Sequence, residues 1–229
     1  ETRLFPKITQ QLPNSIKVGA LSLLIFVVVI KNTIKMKRLN LIVTAIFLFG
    51  AWLSNAQTQP EIWKNDPPHS QLYFTVTHLG FNKISGTFDD TVIEVTATEA
   101  DFSDARFEVT AQTNSINTLV EARNNHLKSA DFFDVETYPT LTFTSTNLKK
   151  KGKNKYKLTG DLTMHGVTKP VTLDLVYQGE TVNPMSSKQT IAFKATGTLK
   201  RSDYAIGGSF PEAIISDEVH IEFNGEFVQ

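Results

Sequence analysis

The chain has 229 residues, no cysteine, and a formal net charge of zero at pH 7. Seven of its 23 basic residues but only one of its 23 acidic residues lie in residues 1–56, so residues 57–229 carry 16 basic and 22 acidic side chains. This acidic excess argues against nucleic-acid binding, which requires clustered positive charge to displace counterions from phosphates. The lack of cysteine excludes disulfides and a thiol for lipid attachment.

Residues 36–56 have the composition of a secretory signal peptide. The cationic start Met36-Lys37-Arg38 precedes the mostly apolar run Leu41–Leu53, and Ser54-Asn55-Ala56 supplies the small residues of a cleavage site. The alternative is a membrane anchor, but a span needs about 20 apolar residues, and small and polar residues interrupt this run. We therefore expect residues 57–229 to be exported to the periplasm as one domain.

Residues 1–35 precede this signal peptide, although a signal peptide should open the translated chain. We interpret them as an upstream extension from a start site assigned too early. A second interpretation is an additional membrane segment, based on the apolar run Val18–Ile30, which at 13 residues is short for a span. Both interpretations leave the remainder outside the cytoplasm.

Residues 57–229 alternate large apolar and polar side chains in segment after segment, which is typical of strands with one buried face. The prolines of residues 57–68 predict a lead-in that does not pair as a central strand. Short turns separate most of the alternating segments, and short connections make neighbouring strands antiparallel. We predict eight strands, at about 70–79, 84–95, 104–113, 140–148, 155–164, 170–178, 189–200 and 217–228.

One helix is predicted between the third and fourth strands, because residues 118–134 lose the period of two. Thr118 followed by Glu121 fits a capping box, and a second turn is expected at Ala130–Phe133. Pro139 ends the segment. The apolar stripe of the helix would consist of Leu119, Val120, Ala122 and Leu127.

Eight antiparallel strands at this spacing predict an all-β fold, most economically a closed barrel, because closure removes exposed strand edges. The interior of such a barrel either is filled by its own side chains or keeps room for an apolar ligand. From the residues alone, both interpretations stay open.

Several motifs occur together in one order along the chain. They include Ser115-Ile116-Asn117-Thr118, His126–Asp134, Gly160-Asp161-Leu162-Thr163, His165–Val171 and Arg201-Ser202-Asp203-Tyr204. In this order they resemble the YceI-like family over about residues 61–229. The resemblance implies a periplasmic, extended lipocalin-like barrel that holds a long isoprenoid or other fatty chain along its axis and has no catalytic residues. Ala205 departs from the glycine that the family pattern has at this position.

If the barrel holds an apolar chain, its ligand contacts should be the large residues on the repeating inward face. The alternative is that these side chains pack only against each other. The candidates are Phe74, Val76, Phe88, Phe107, Val109, Phe143, Leu158, Leu162, Leu173, Phe193, Leu199, Ile221 and Phe223.

Four polar residues are also candidate ligand contacts. His78 ends an apolar face and is placed to meet a polar head group; the alternative is a core histidine bonded to the backbone. Arg201, Asp203 and Tyr204 end a long strand, where a guanidinium can bind a pyrophosphate or carboxylate in bidentate fashion. The alternative for Arg201 is an ion pair, with Asp203 or a glutamate, that fixes the loop.

Two further groups have a functional and a structural interpretation. Arg123, Asn124 and His126 either close the mouth of the barrel over a ligand or form a solvated helix face. The run Lys149–Lys157, with six lysines, either touches anionic lipid or is a solvated hairpin tip. The five histidines show no His-x-His or His-x-x-x-His pair, so neither a metal site nor a cofactor is expected.

The sequence thus predicts a binding or carrier protein for a long-chain isoprenoid or similar amphiphilic lipid. The alternatives are an envelope stress or interaction protein with a solid core, and an enzyme that acts on a lipid. The sequence contains neither a cysteine nor a Gly-x-Ser-x-Gly elbow, so neither of these nucleophile signals supports the enzyme. Transient contact with a membrane surface and a homodimer are further expectations.

Overall fold

The computed structural model describes residues 59–229, all of which belong to one compact unit, Thr58–Gln229. The expected upstream extension (1–35) and signal peptide (36–56) lie outside the described residues. Between residues 59 and 229, no helix combines the length and the apolar character needed to cross a membrane.

Ten strands and one α-helix make up this part of the chain. In chain order they are β1 Glu61–His78, β2 Asn82–Phe88, β3 Thr91–Ala97, β4 Arg106–Gln112, β5 Ile116–Asn117, α1 Glu121–Lys128, β6 Thr140–Gly152, β7 Lys155–Met164, β8 Val167–Val182, β9 Gln189–Lys200 and β10 Glu218–Val228.

All the strands belong to one antiparallel sheet that closes on itself. β1 pairs with β10 on one side and with both β2 and β3 on the other. Only Asp89 and Asp90 separate β2 from β3, so these two strands line β1 as a single wall. The barrel therefore has eight walls, with the two-residue β5 added beside β2, which confirms the predicted eight-stranded antiparallel barrel.

β1 begins earlier than the sequence predicts. Glu61–Lys64 pairs with β3, and Lys64 also pairs with β10, so the expectation that residues 57–68 would not pair as a central strand was wrong for this stretch. The pairing of β1 with β10 shifts register between Asn65 and Ser70, which forms a bulge. Pro67 and Pro68 lie within this bulge, where their missing N–H groups cost no hydrogen bond of the strand ladder. Asn65 joins the bulge to β3, because its side chain donates to the Thr91 carbonyl at 3.0 Å and accepts from the Ile93 N–H at 2.7 Å.

The helix forms within the predicted segment, but the predicted capping box was wrong. Val120 caps α1 without a side-chain hydrogen bond. The Thr118 N–H and hydroxyl instead donate to the Asn124 side-chain carbonyl at 2.8 and 2.6 Å. Leu119 is 92% exposed and Val120 46%, so neither belongs to a buried stripe.

Antiparallel pairing places the connecting segments at two opposite ends of the barrel. The mouth, as we define it, comprises residues 79–81, 118–134, 165–166 and 201–217. The plug end comprises the start of β1 and residues 98–105, 153–154 and 183–188.

Candidate functional site

A cavity of about 480 Å³ occupies the barrel interior. Pockets that hold small molecules have volumes of roughly 300–1,000 Å³. Side chains from all eight walls line the cavity, and most of them are aliphatic or aromatic. Among its lining residues, all within the described part of the chain, there is no aspartate, glutamate or lysine.

The structure brings most of the predicted contact residues to this cavity. That they contact a ligand stays a prediction. Those that line the cavity are Phe74, Val76, His78, Phe88, Phe107, Val109, Phe143, Leu158, Leu162, Leu173, Phe193, Leu199, Arg201, Ile221 and Phe223.

Asp203 and Tyr204 do not line the cavity. A 3-10 turn over Arg201–Tyr204 interrupts the strand alternation, so the inward face ends at Arg201. The Asp203 carboxylate instead accepts a hydrogen bond from the Lys169 ammonium at 2.5 Å on the surface. The Tyr204 ring is buried away from the cavity, and this burial raises the pKa of its hydroxyl.

Glycines beneath aromatic rings help to keep the barrel axis open. Phe74 lies directly opposite Gly86 in the β1–β2 ladder, and a Cβ added to Gly86 would lie 2.5 Å from the Phe74 ring. A Cβ on Gly160 would likewise lie 2.4 Å from the Phe143 ring. Because each ring occupies the space above a glycine, it lies close to the wall of the barrel.

Inward-facing side chains near the mouth keep contact with the empty interior. Phe74, Val76, Leu173, Leu199 and Ile221 are only half-buried, although all of them face the cavity. A side chain in a filled core would be almost completely buried. The structure therefore favours the hollow interior over the solid core that the sequence left open.

At the plug end the interior is solid. Phe193 is 0% exposed and lies at the centre of an aromatic cluster. Its ring centroid is 5.4 Å from that of Phe102, 5.3 Å from those of Phe107 and Tyr177, and 5.8 Å from that of Phe227. Most of these pairs meet edge to face, the geometry that aromatic quadrupoles prefer.

Arg201 organises the loop that covers one side of the mouth. Its guanidinium is buried and donates to five backbone carbonyls: those of Ser216 (3.3 Å), Ile206 (3.0 Å), Gly207 (2.5 Å), Phe210 (2.6 Å) and Ile215 (3.2 Å). A guanidinium has five N–H donors, so none remains for a head group. No salt bridge of residues 59–229 includes Arg201, so the structure does not show the alternative of an ion pair with Asp203 or a glutamate.

The segment of α1 covers the other side of the mouth. Rings of His126 and Phe132 meet at 5.1 Å, and Phe132 stacks on Phe210 at 4.9 Å, which links this segment to the loop that Arg201 holds. His126 also pairs with the Asp131 carboxylate at 2.9 Å. Arg123, His126 and Leu127 line the cavity from α1, although no residue of the helix is fully buried.

His78 lies where β1 reaches the mouth. A backbone bridge to Ile215 fixes its position, and Leu79 N–H donates to the Ile214 carbonyl at 2.9 Å. Within residues 59–229 the imidazole makes no hydrogen bond, so the structure does not show the backbone-bonded core histidine of the alternative interpretation. The ring is half-buried and lines the cavity.

The lysine-rich hairpin lies at the plug end, opposite the mouth. Lys150 pairs with Asp101 at 2.5 Å and Lys157 with Asp174 at 2.8 Å. These side chains are about half exposed, which fits a solvated hairpin tip.

The bulge in β1 groups three side chains that the sequence does not reveal as neighbours. Asp66, His69 and Glu226 each offer one potential metal-ligand atom, all within 4.8 Å of one another. The Asp66 carboxylate lies 2.8 Å from His69 Nδ1, and this hydrogen bond raises the pKa of His69. The absence of a metal site stays a prediction.

Sequence reasoning missed the apolar cavity residues that come from the loops. Loops lack the alternation of apolar and polar residues that identifies the inward face of a strand. The local sequence therefore does not distinguish a cavity contact in a loop from any other apolar residue there. They are Phe132, Phe133, Ile206, Phe210, Ile214 and Ile215.

A closed antiparallel barrel with an apolar cavity that is covered at one end by a helix and a loop defines a lipocalin-like fold. The family model described as YceI-like domain matches residues 63–227. The chain belongs to the YceI-like family, as its motifs indicate.

Three known proteins are similar to this chain in sequence or in fold. Protein YceI of Salmonella arizonae is 38% identical over 161 residues, which is 70% of this chain and 82% of that protein. The crystal structure of BcnA from Burkholderia cenocepacia has a TM-score of 0.65 at 26% identity and covers 71% of this chain and 98% of its own. A polyisoprenoid binding domain from Saccharophagus degradans shares the fold, with a TM-score of 0.55 at 18% identity over 73% of this chain and 97% of its own.

Proposed function

We propose that this protein binds a long-chain isoprenoid or similar amphiphilic lipid in the barrel cavity and carries it through the periplasm. The observation that carries the proposal is the apolar cavity of about 480 Å³ between the plug end and the mouth. The polyisoprenoid-binding domain from Saccharophagus degradans, which has the same fold, supports the choice of ligand.

The apolar wall supplies the affinity that such a ligand needs. Each methylene group that leaves water contributes roughly 0.8 kcal/mol, so about ten of them contribute roughly 8 kcal/mol before the cost of ordering the chain is subtracted. The carboxylates of residues 59–229 stay outside this surface. A chain held in this way needs no polar contact along most of its length.

A carrier must also exchange its ligand with a membrane, and the surface around the mouth supports this role. Leu79, Phe81, Leu119 and Ile214 are exposed apolar residues within the mouth segments. Exposed apolar residues grouped at one site favour contact with a lipid or protein surface. We therefore place the transient membrane contact at the mouth rather than at the lysine-rich hairpin.

A binding experiment with matched variants tests the proposal. Val109 and Thr110 are neighbours on β4, but Val109 lines the cavity and Thr110 is exposed. Val109→Trp should fill the cavity and weaken geranylgeraniol binding about tenfold or more, equivalent to at least ~1.4 kcal/mol. Thr110→Trp should leave geranylgeraniol binding unchanged. Binding is measured by displacement of the apolar fluorophore N-phenyl-1-naphthylamine.

Mass spectrometry of organic extracts complements this test. The natively purified protein should release an intact long-chain lipid, and Val109→Trp protein should release less of it. Equal binding by the two tryptophan variants, with no lipid in either extract, would show that the cavity is not the binding site. Conversion of added lipid would favour the enzyme instead.

A further inference from the structure

The basic side chains that line the cavity lie in the mouth segments or directly beside them. Arg123, Arg201, His78 and His126 line the cavity, whereas no carboxylate does so within the described chain. Arg201 has every N–H donor engaged by backbone carbonyls, and His126 is paired with Asp131. Arg123 and His78 are therefore the basic groups with donors available to a ligand.

Arg123 is held along one edge only. Its Nε donates to the Thr118 hydroxyl at 2.8 Å, and its Nη2 donates to the Thr118 carbonyl at 2.8 Å. Thr118 is itself buried and bonded to Asn124. The guanidinium is therefore fixed in position before any ligand arrives.

The other edge of the same guanidinium has no partner in residues 59–229. Two of its five N–H donors are used by Thr118, which leaves both donors on Nη1 and one on Nη2. No salt bridge of this part of the chain includes Arg123. A half-buried guanidinium without a carboxylate attracts an anion strongly, because the apolar surroundings screen its charge less than water does.

We propose that Arg123, with His78 on the same rim, binds an oxyanion head group of the lipid, either a phosphate or a carboxylate. The inference rests on the proposed function and fixes the orientation of the ligand. The head group lies at the mouth, where charge-assisted hydrogen bonds to Arg123 are shorter and stronger than neutral ones. The apolar chain runs inward and ends against Phe193 in the plug cluster.

Paired ligands that share a chain but differ in the head group test this proposal. Geranylgeranyl monophosphate is compared with geranylgeraniol, and palmitate with hexadecanol, by displacement of N-phenyl-1-naphthylamine. The wild-type protein should prefer at least one oxyanion to its alcohol about tenfold or more. A preference for the phosphate alone identifies a phosphate ester as the head group, and a preference for palmitate alone identifies a carboxylate.

Variants assign the preference to Arg123. Arg123→Gln should reduce the ratio of oxyanion to alcohol affinity about tenfold. Arg123→Lys keeps the charge but loses the paired N–H donors that bond Thr118, so it should retain part of the ratio of oxyanion to alcohol affinity. Arg106→Gln, an exposed change at the start of β4 near the plug end, is the matched control.

The outcomes separate this inference from the proposed function. Equal affinity of the wild-type protein for the alcohols and the oxyanions overturns the head-group assignment but leaves lipid binding in place. An Arg123→Gln protein that keeps the full ratio also overturns it. Failure of all four ligands to displace the fluorophore overturns the proposed function itself. Because each variant is judged by a ratio, a partial loss of folded protein does not imitate the expected result.

Discussion

The plug end and the mouth are built from the same strands, yet their interiors differ. At the plug end, the loop at residues 98–105 places Phe102 inside the barrel. The Phe102 ring packs there against the rings of Trp63, Tyr177 and Phe193. Phe102 has a φ of 57°, a left-handed conformation that is costly for a bulky residue and that persists only where packing enforces it. At the mouth the covering segments lie across the barrel instead of filling it, and a cavity remains.

Alternation along a strand does not determine whether the interior of the barrel is filled. The same inward face is buried completely at Phe193 and only half at Leu199, which lies further along the same strand β9. What differs is the contribution from outside the strands. At the plug end the loop ring of Phe102 packs among the rings of the strands, whereas at the mouth the loop rings of Phe132 and Phe210 stack on each other.

Removal of the central plug ring should have the largest effect. Phe193→Ala should lower the free energy of unfolding by about 3–5 kcal/mol, because it leaves a void among packed aromatic rings. Phe133→Ala, at the mouth, should cost less, since Phe133 is half-buried and already faces the cavity. Urea unfolding of both variants measures the difference. Equal losses would mean that the two ends are packed alike.

Replacement of Arg201 should have the next largest effect and should act at the mouth. Arg201→Met keeps much of the side-chain volume but removes five hydrogen bonds, so we expect a loss of about 3 kcal/mol. Lys200→Met, an exposed change one residue earlier, should stay within about 0.5 kcal/mol. Amide hydrogen exchange should show faster exchange in residues 201–217 and unchanged protection in β6. Uniform loss of protection would contradict a local role.

Acid titration should give the smallest effect and again distinguishes the ends. At the plug end, hydrogen bonds from Lys150 and then Ser103 lower the pKa of Asp101 from 3.8 to about 2. At the mouth, burial acts to raise the pKa of Asp217, but hydrogen bonds from Ser202 and the charge of Arg201 outweigh it and leave that pKa below 3.8.

Both carboxyls have a lower pKa when folded, so each stabilises the protein above pH 3.8 and loses this contribution as the pH falls through its folded pKa. Carbon NMR of the side-chain carboxyls measures the two values. Lys150→Met should raise the pKa of Asp101 and leave that of Asp217 unchanged, while Ser202→Ala should do the reverse. An Asp101 that titrates near 3.8 in the wild-type protein would refute the pairing with Lys150.

The strands and much of the cavity wall could be predicted because a period of two is a local signal. β7, for example, spans Lys155–Met164, the predicted range of 155–164. The start of β1 could not be predicted, because its prolines argue against pairing and only the bulge, stabilised by Asn65, resolves the conflict. Asn65 bonds to β3, which is distant in sequence, so the local pattern around the prolines does not reveal this stabilisation.

The mouth was the hardest part to predict. Arg201 is correctly placed at the cavity, but its five acceptors come from a loop whose path the sequence does not indicate. Arg123 was predicted as one of three mouth residues, yet its importance depends on which of its donors Thr118 occupies. These are properties of tertiary hydrogen bonding and have no periodic signal.

The hydrogen bonds of Arg201 also make one side of the mouth harder to open than the other. Opening the loop at residues 206–216 would break five charge-assisted bonds together, and partial opening would leave buried N–H groups without acceptors. Helix α1 contains no fully buried residue, so its displacement exposes less apolar surface. We therefore expect ligand exchange to pass beside α1, and its rate to follow the local unfolding of this helix rather than the stability of the whole barrel.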